Sequence, residues 1–372
     1  MTGHVRKTFP GLEATRFYAA SSIIIFHVTS MFKLAYPDYL NFITQYFGMG
    51  VPLFFIVSAF GLSIGYEKSF NSRQEFSEFY LRRFLRIAQL FYIVMILYIP
   101  FWYFTDFAHY GIQSFLVTAI FFHNLIPQHV VGYVWGSWTI GVEMLFYFFF
   151  PILSLVVTSK VRAFIFFLFS FIIYYSWTNA FKGTEGAIKT FGHFFILSHL
   201  HYFAAGVLSF HVWKMIASTS DLKQRVTGIS LLILGVTGII LLMAFGVEYI
   251  YLIGRAFGWD FGHTGVHITW ALALGSFVIG ITLYPTPVLV GNLRVKWGKA
   301  SFGIYLWHMM VIGALSKTGV FHFFYNILSL PSLFGYILSN IAVFLIVLPL
   351  SLLTFNIIET PGMRLIKRFK FN

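Results

Sequence analysis

The sequence predicts an all-α integral membrane protein with about ten transmembrane helices and one short re-entrant or interfacial segment, both termini cytoplasmic. Three observations predict it. Of the 372 residues, 58% are apolar and only 10% are charged, with mean hydropathy +0.80, whereas soluble domains carry roughly 25% charged residues. The apolar residues gather in repeated runs of about 20, the length a helix needs to cross a bilayer. Within those runs the apolar character is unbroken, as from Met144 to Val157, which is unlike the strict alternation of a membrane β-barrel. There is no cysteine, so disulfides, thiolate metal sites and a cysteine nucleophile are excluded.

Ten spans follow in order: 13–34, 46–66, 87–105, 137–157, 163–178, 191–212, 227–246, 266–283, 301–317 and 332–355. The first comes after a short basic segment, Met1 to Pro10, and carries Arg16 but no small-residue cleavage site. It therefore reads as a retained helix rather than a removed signal. An eleventh apolar run, Ser114 to Ile126, has 13 residues, which is short for a crossing.

Charge distribution decides how that run is counted. With the N-terminus inside and the short run not crossing, the inner segments carry Arg6 and Lys7; then Lys68, Arg73, Arg82, Arg83 and Arg86; then Lys160 and Arg162. Further along, the same side receives Lys214, Lys223 and Arg225; Arg294, Lys296 and Lys299; and Arg364, Lys367, Arg368 and Lys370. The outer segments hold only Lys33, Lys182, Lys189, Arg255 and Lys317. Counting the short run as a crossing would put every later basic cluster on the wrong side of the positive-inside rule. The surplus of 25 Lys and Arg over 12 acidic residues is thus a topology signal and not a nucleic-acid footprint. No repeat, heptad or low-complexity linker divides the chain, which reads as one membrane domain over 1–372.

Several ionisable residues fall inside the spans, where charge is costly and a functional role is the default expectation. Arg16 and His27 share the first span, about 16 Å apart along the axis at 1.5 Å per residue. Arg16 lies toward the inner face and His27 about 10 Å from the outer one. Glu143, six residues into the fourth span, has nearly the same depth on another helix. A carboxylate beside a neutral imidazole suits general base chemistry, because it orients the ring and stabilises the imidazolium. Arg83 and Arg86, within Arg82-Arg83-Phe84-Leu85-Arg86, share a helical face and fit phosphate oxygens, although such clusters also serve as topology anchors or lipid contacts. His308 is a lone membrane histidine that fits hydrogen-bonded packing as well as catalysis. His199, His201, Trp138 and Tyr147 carry weaker signals. His123 and Asn124 gain interest from their place in the short run, since such segments line protein or a cavity. No His-Glu-x-x-His or Walker loop occurs, and the Gly-x-Ser-x-Gly string Gly61-Leu62-Ser63-Ile64-Gly65 lies inside an apolar span and not at a strand-to-helix nucleophile elbow, so metal, ATP and serine-hydrolase chemistry have no local support.

With these residues in hand, the chain resembles the acyltransferase-3 family of integral-membrane O-acyltransferases over about 12–358, leaving a basic cytoplasmic tail at 359–372. The resemblance rests on Arg16 to His27, Gly50-Val51-Pro52-Leu53-Phe54-Phe55-Ile56-Val57-Ser58, Arg83-Phe84-Leu85-Arg86, Trp138 to Glu143, Tyr305-Leu306-Trp307-His308 and Glu359-Thr360-Pro361, in that order. Two positions depart from the family pattern: Ala59, where Gly is usual, and Pro52, where an acidic residue is common. The pattern is that of the stand-alone form, without the fused extracytoplasmic hydrolase-like domain of some members.

The resemblance implies a multi-pass protein of the bacterial inner membrane and a cytoplasmic acyl-CoA donor, most often acetyl-CoA, with no metal. It implies acylation of a sugar hydroxyl on a cell-surface polysaccharide or its lipid-linked precursor. Arg82, Arg83 and Arg86 would then meet donor phosphates, with Arg16 near the inner end of the pantetheine arm. His27 would be the general base oriented by Glu143, and His308 a secondary polar contact or proton carrier. Two rival readings remain from the residues alone. One is a proton-coupled transporter or flippase using the same ionisable groups, which predicts inverted repeats or broken helices that the sequence lacks. The other is a scaffold subunit, which leaves those groups unexplained.

Overall fold

A computed structural model describes residues 9–31, 34–67, 69–105, 111–256 and 262–365, without side-chain placement for 247–256, 262–264 and 365. Arg6, Lys7, Lys33, Lys68, the Arg255 side chain and the tail lysines and arginine at 367–370 lie outside the described residues. Among those described, all regular structure is helical.

Eleven helices carry the architecture: α1 (Pro10–Ser30), α2 (Gly50–Tyr66), α3 (Arg73–Thr105), α4 (Trp138–Val156), α5 (Lys160–Ala180), α6 (Leu200–Ala217), α7 (Asp221–Ala256), α8 (Gly262–Leu283), α9 (Asn292–Lys299), α10 (Ser301–Lys317) and α11 (Ser332–Thr354). Seven helical stretches are long and apolar enough to cross a membrane, and α10 joined to its bent continuation makes an eighth. The other two expected spans correspond to α1 and α6. At 21 and 18 residues they reach about 31 and 27 Å, close to the hydrocarbon thickness, but each is diluted by ionisable and small polar residues. Outward faces of α5, α7 and α11 expose Phe164, Phe169, Ile233, Leu241, Phe334 and Leu345 among others. Such continuous apolar surface is at home in lipid and not in water.

Two expected boundaries shift. The expected span at 191–212 begins instead at Leu200, because a separate helix, Gly186–Phe194, ends before it. Its last carbonyls are taken by side chains: Trp177 Nε1 and Ser198 Oγ both donate to the Gly192 carbonyl, and Asn124 Nδ2 donates to that of Phe194 at 2.9 Å. Side-chain donors that satisfy terminal carbonyls stop a helix from continuing. Helix α3 starts far before the expected 87, so Arg82, Arg83 and Arg86 stand within a regular helix.

The run Ser114 to Ile126 does not build a crossing. It holds an eight-residue helix, Ile112–Ala119, and a turn at His123–Leu125, and eight residues reach only about 12 Å. Thr118 Oγ1 accepts from the Tyr133 amide at 2.9 Å, and His123 Nε2 lies 3.0 Å from the Ser137 carbonyl. These bonds fold the segment back against the start of α4. His123 and Asn124 thus anchor the segment through one side-chain atom each, while His123 Nδ1 and Asn124 Oδ1 are buried without a hydrogen-bond partner.

Helix α1 is the hub, packing against α2, α8, α9, α10 and α11. Small residues permit the close approaches. A Cβ at Gly298 of α9 would run into the backbone of Glu13, and one at Gly206 of α6 would meet the Ile56 carbonyl and the Ala59 methyl of α2. Ala59 thus belongs to the α2–α6 packing face, away from the polar interior. Pro52 is buried in the first turn of α2, where its missing N–H breaks no helical bond.

Candidate active site

Five helices, α1, α2, α3, α4 and α10, enclose a cavity of about 180 Å³. Arg16, Arg83, Arg86, Glu143, Ser58, Tyr147 and Tyr305 bring polar atoms to its wall, and Val51, Phe54, Phe55, Leu62 and Ile87 supply the apolar remainder. Residues 250 positions apart in sequence meet here because α1 sits between α2 and α10.

Each charge has a defined setting. Glu143 accepts from Ser58 Oγ at 2.6 Å and from the Tyr147 hydroxyl, which stands one turn further along α4. Arg83 donates to the Tyr66 hydroxyl at 3.3 Å, and its guanidinium lies over the Tyr66, Phe79 and Tyr147 rings at 5.4, 5.9 and 5.8 Å. Cation–π contacts hold a guanidinium in a low-dielectric wall without neutralising it. Arg16 pairs with Glu13 at 2.9 Å, one turn back. Arg86 has no hydrogen-bond partner among the described residues and lies within electrostatic reach of Glu13, Arg16, Arg83 and Glu359. Three guanidiniums against Glu143 and Glu13 leave the site positive, which favours an anionic ligand.

The histidines form a pair of their own. The His27 and His308 rings stand 5.2 Å apart, tilted by 38°. His308 is fully buried, and its Nδ1 faces the Tyr305 carbonyl. A carbonyl only accepts, so Nδ1 carries the proton and Nε2 keeps its lone pair. That Nε2 and His27 Nδ1 are both buried without a hydrogen-bond partner. Leaving a buried polar atom unpaired costs about 1–3 kcal/mol, and such orphans mark where a polar substrate group would be welcome.

Tyr305 joins the two halves. Its ring is 5.3 Å from that of His308, and its hydroxyl donates to the Gly136 carbonyl at 2.9 Å and accepts from Thr139 at 2.8 Å. It lines the cavity that Glu143 also lines. The expected orientation of His27 by Glu143 is not what the structure builds. Glu143 is satisfied by Ser58 and Tyr147 instead, and no hydrogen bond joins it to His27. Equal depth on two helices set the two residues level without setting them face to face.

Arg82 is also elsewhere. Its side chain is 36% exposed, pairs with Glu78 at 2.9 Å and is absent from the cavity wall. On a helix its Cβ points about 100° from that of Arg83, so one neighbour turns inward and the other outward. Ser58 and Tyr147 are the polar residues whose roles the sequence left unread. For Tyr147 the signal was the four-residue spacing from Glu143, which places both on one face.

Residues 9–356 match the family profile described as an acyltransferase domain, Acyl_transf_3. The chain belongs to the acyltransferase-3 family. It is similar to the O-acetyltransferase OatA of Staphylococcus aureus, 22% identical over 336 residues, covering 82% of this chain and 50% of that protein. The chain thus spans about half the length of these curated relatives. It is also similar to "Putative acetyltransferase ORF330" of Acidianus two-tailed virus, 24% identical over 326 residues, covering 84% of this chain and 86% of that protein. No solved structure matches. The family's acyl transfer and the membrane-length helices together make this an integral membrane protein of acyltransferase type.

Proposed function

We propose that this protein is an O-acetyltransferase that moves an acetyl group from acetyl-CoA to a sugar hydroxyl of a cell-surface polysaccharide or its lipid-linked precursor. The observation that carries the reading is the junction of a triple-arginine cavity with an imidazole pair across Tyr305. Guanidiniums suit the diphosphate of the donor, and the pantetheine arm would lie along the cavity toward Tyr305.

In this reading His27 takes the proton of the acceptor hydroxyl as its oxygen attacks the thioester carbonyl. The C–O bond forms, the C–S bond breaks and the proton passes to the departing thiolate. Sugar hydroxyls are weak nucleophiles at neutral pH, and a placed base typically contributes about 10² to 10⁴-fold. His308, with Nδ1–H committed to Tyr305, is the neighbouring imidazole that shares the transferred proton. Glu143, held by Ser58 and Tyr147, balances the arginines and positions the wall between the two halves.

Ten crossings with both termini cytoplasmic follow from the basic clusters, and helices occur at all ten expected positions. That arrangement puts the arginines toward the donor compartment and His27 toward the acceptor, as expected for a bacterial inner-membrane enzyme acting across its bilayer. The test uses purified protein in vesicles with [¹⁴C]acetyl-CoA and surface glycan or its lipid-linked precursor. Labelled glycan with the wild type and none with His27→Ala supports the reading; acetyl-CoA-independent uptake of glycan without modification overturns it in favour of transport.

A further inference from the structure

A second basic cavity, of about 280 Å³, lies between helix α9 and the end of α11. Helix α9 contributes Asn292, Lys296 and Lys299, and the turn after α11 contributes Phe355 and Asn356. Positions 292, 296 and 299 are offset by four and three, so they share one helical face. Both lysines are exposed, and neither forms an ion pair among the described residues.

Two links connect this cavity with the arginine site. Lys299 precedes Ser301, which lines the first cavity, by two residues. Lys299 and Arg86 also both lie within electrostatic reach of Glu13, which pairs with Arg16. Glycine at position 298 is what lets α9 lie directly on α1 at Glu13. Lys296, Lys299, Arg16, Arg86 and Arg83 therefore form one cationic track, leading from exposed ammonium groups to half-buried guanidiniums.

We propose that the second cavity binds the 3′-phosphorylated adenosine end of a coenzyme A thioester; this rests on the acetyl-CoA reading above and extends it. The fit is chemical at each wall. A phosphate monoester is a compact dianion suited to two ammonium groups. The purine presents a π-face to the Phe355 ring, and its ring nitrogens and amine suit the Asn292 and Asn356 amides. The diphosphate then falls at Arg16 and Arg86, and the thiol arm continues into the first cavity. An anionic lipid headgroup offers the same phosphate chemistry, so the test separates the two.

The measurement is made on full-length protein in phosphatidylcholine nanodiscs, with the Lys296→Gln/Lys299→Gln double variant. Both positions are exposed, and an unchanged melting temperature checks its fold. We expect wild type to bind adenosine 3′,5′-bisphosphate about tenfold tighter than adenosine 5′-monophosphate, the size of one charge-assisted contact, and the variant to lose that preference. KM for acetyl-CoA rises about tenfold in the variant with kcat unchanged, while KM for acetyl-dephospho-CoA stays put, a non-additive cycle. A variant that keeps the 3′-phosphate preference overturns the proposal. So does a lysine-dependent signal produced by phosphatidylglycerol and not by the bisphosphate. Lysine-dependent bisphosphate binding without acetyl-CoA turnover would sustain this site and overturn the acetyl-transfer reading; turnover indifferent to the lysines would do the reverse.

Discussion

Two histidine pairs, set on different helices, differ in what their tyrosine neighbours face. His27 and His308 pair beside Tyr305, whose other side faces three arginines and Glu143. His201 and His267 instead stand among the aromatic rings of Tyr174 and Tyr202, between α5, α6 and α8. The Tyr202 hydroxyl lies 2.6 Å from His267 Nδ1, and no lining of the described cavities includes any of the four. His201 and His308 are fully buried, and His27 and His267 are partly so. What separates them is the neighbour: Tyr305 lines the charged cavity, whereas no lining of the described cavities includes a histidine of either pair.

The sharpest way to break that contrast is to remove one imidazole from each group. His27→Ala should lower acetyl transfer by about 10³-fold, and His308→Ala by about 10², with the melting temperature held, in an assay of labelled glycan. His201→Phe should leave kcat/KM within about twofold and show its effect in thermal stability instead. Equal losses of activity at His27 and His201 would erase the distinction drawn here.

Smaller effects sharpen it on the cavity side. Arg86→Ala should raise KM for acetyl-CoA by about tenfold or more with kcat nearly kept, because donor phosphates lose a charge-assisted contact. Arg82→Ala, one residue from Arg83 but pointing away, should change KM less than twofold. Tyr147→Phe removes one hydrogen bond to Glu143, worth about 1 kcal/mol, so a roughly fivefold fall in kcat/KM is expected. Ser58→Ala should resemble it, and a double variant should lose less than the product if both act through Glu143.

Much of this was legible in the chain. The apolar runs announced the helices, and the parity of basic clusters rejected Ser114 to Ile126 as a crossing, which its eight-residue helix bears out. Arg16 and Glu143 were picked out by their cost at membrane depth, Arg83 and Arg86 by their shared helical face, and all four line one cavity. The partners were less legible. Depth along a helix follows from counting residues, but azimuth toward a neighbour depends on how helices rotate against one another. His27 and Glu143 were matched by depth, whereas rotation delivered His27 to His308 and Glu143 to Ser58 and Tyr147.

By itself the sequence determined the helical class, the approximate helical spans and the residues too expensive to be incidental, since these depend on composition and on rise per residue. The tertiary structure alone decided which of those residues touch. It turned Arg82 outward and Arg83 inward, ended the helix at Phe194 with side-chain donors and brought Lys299 within electrostatic reach of Glu13. The physical reason is that burial and charge are priced residue by residue, whereas contact is set by close packing of small residues such as Gly298 and Gly206 at helix crossings far apart in the chain.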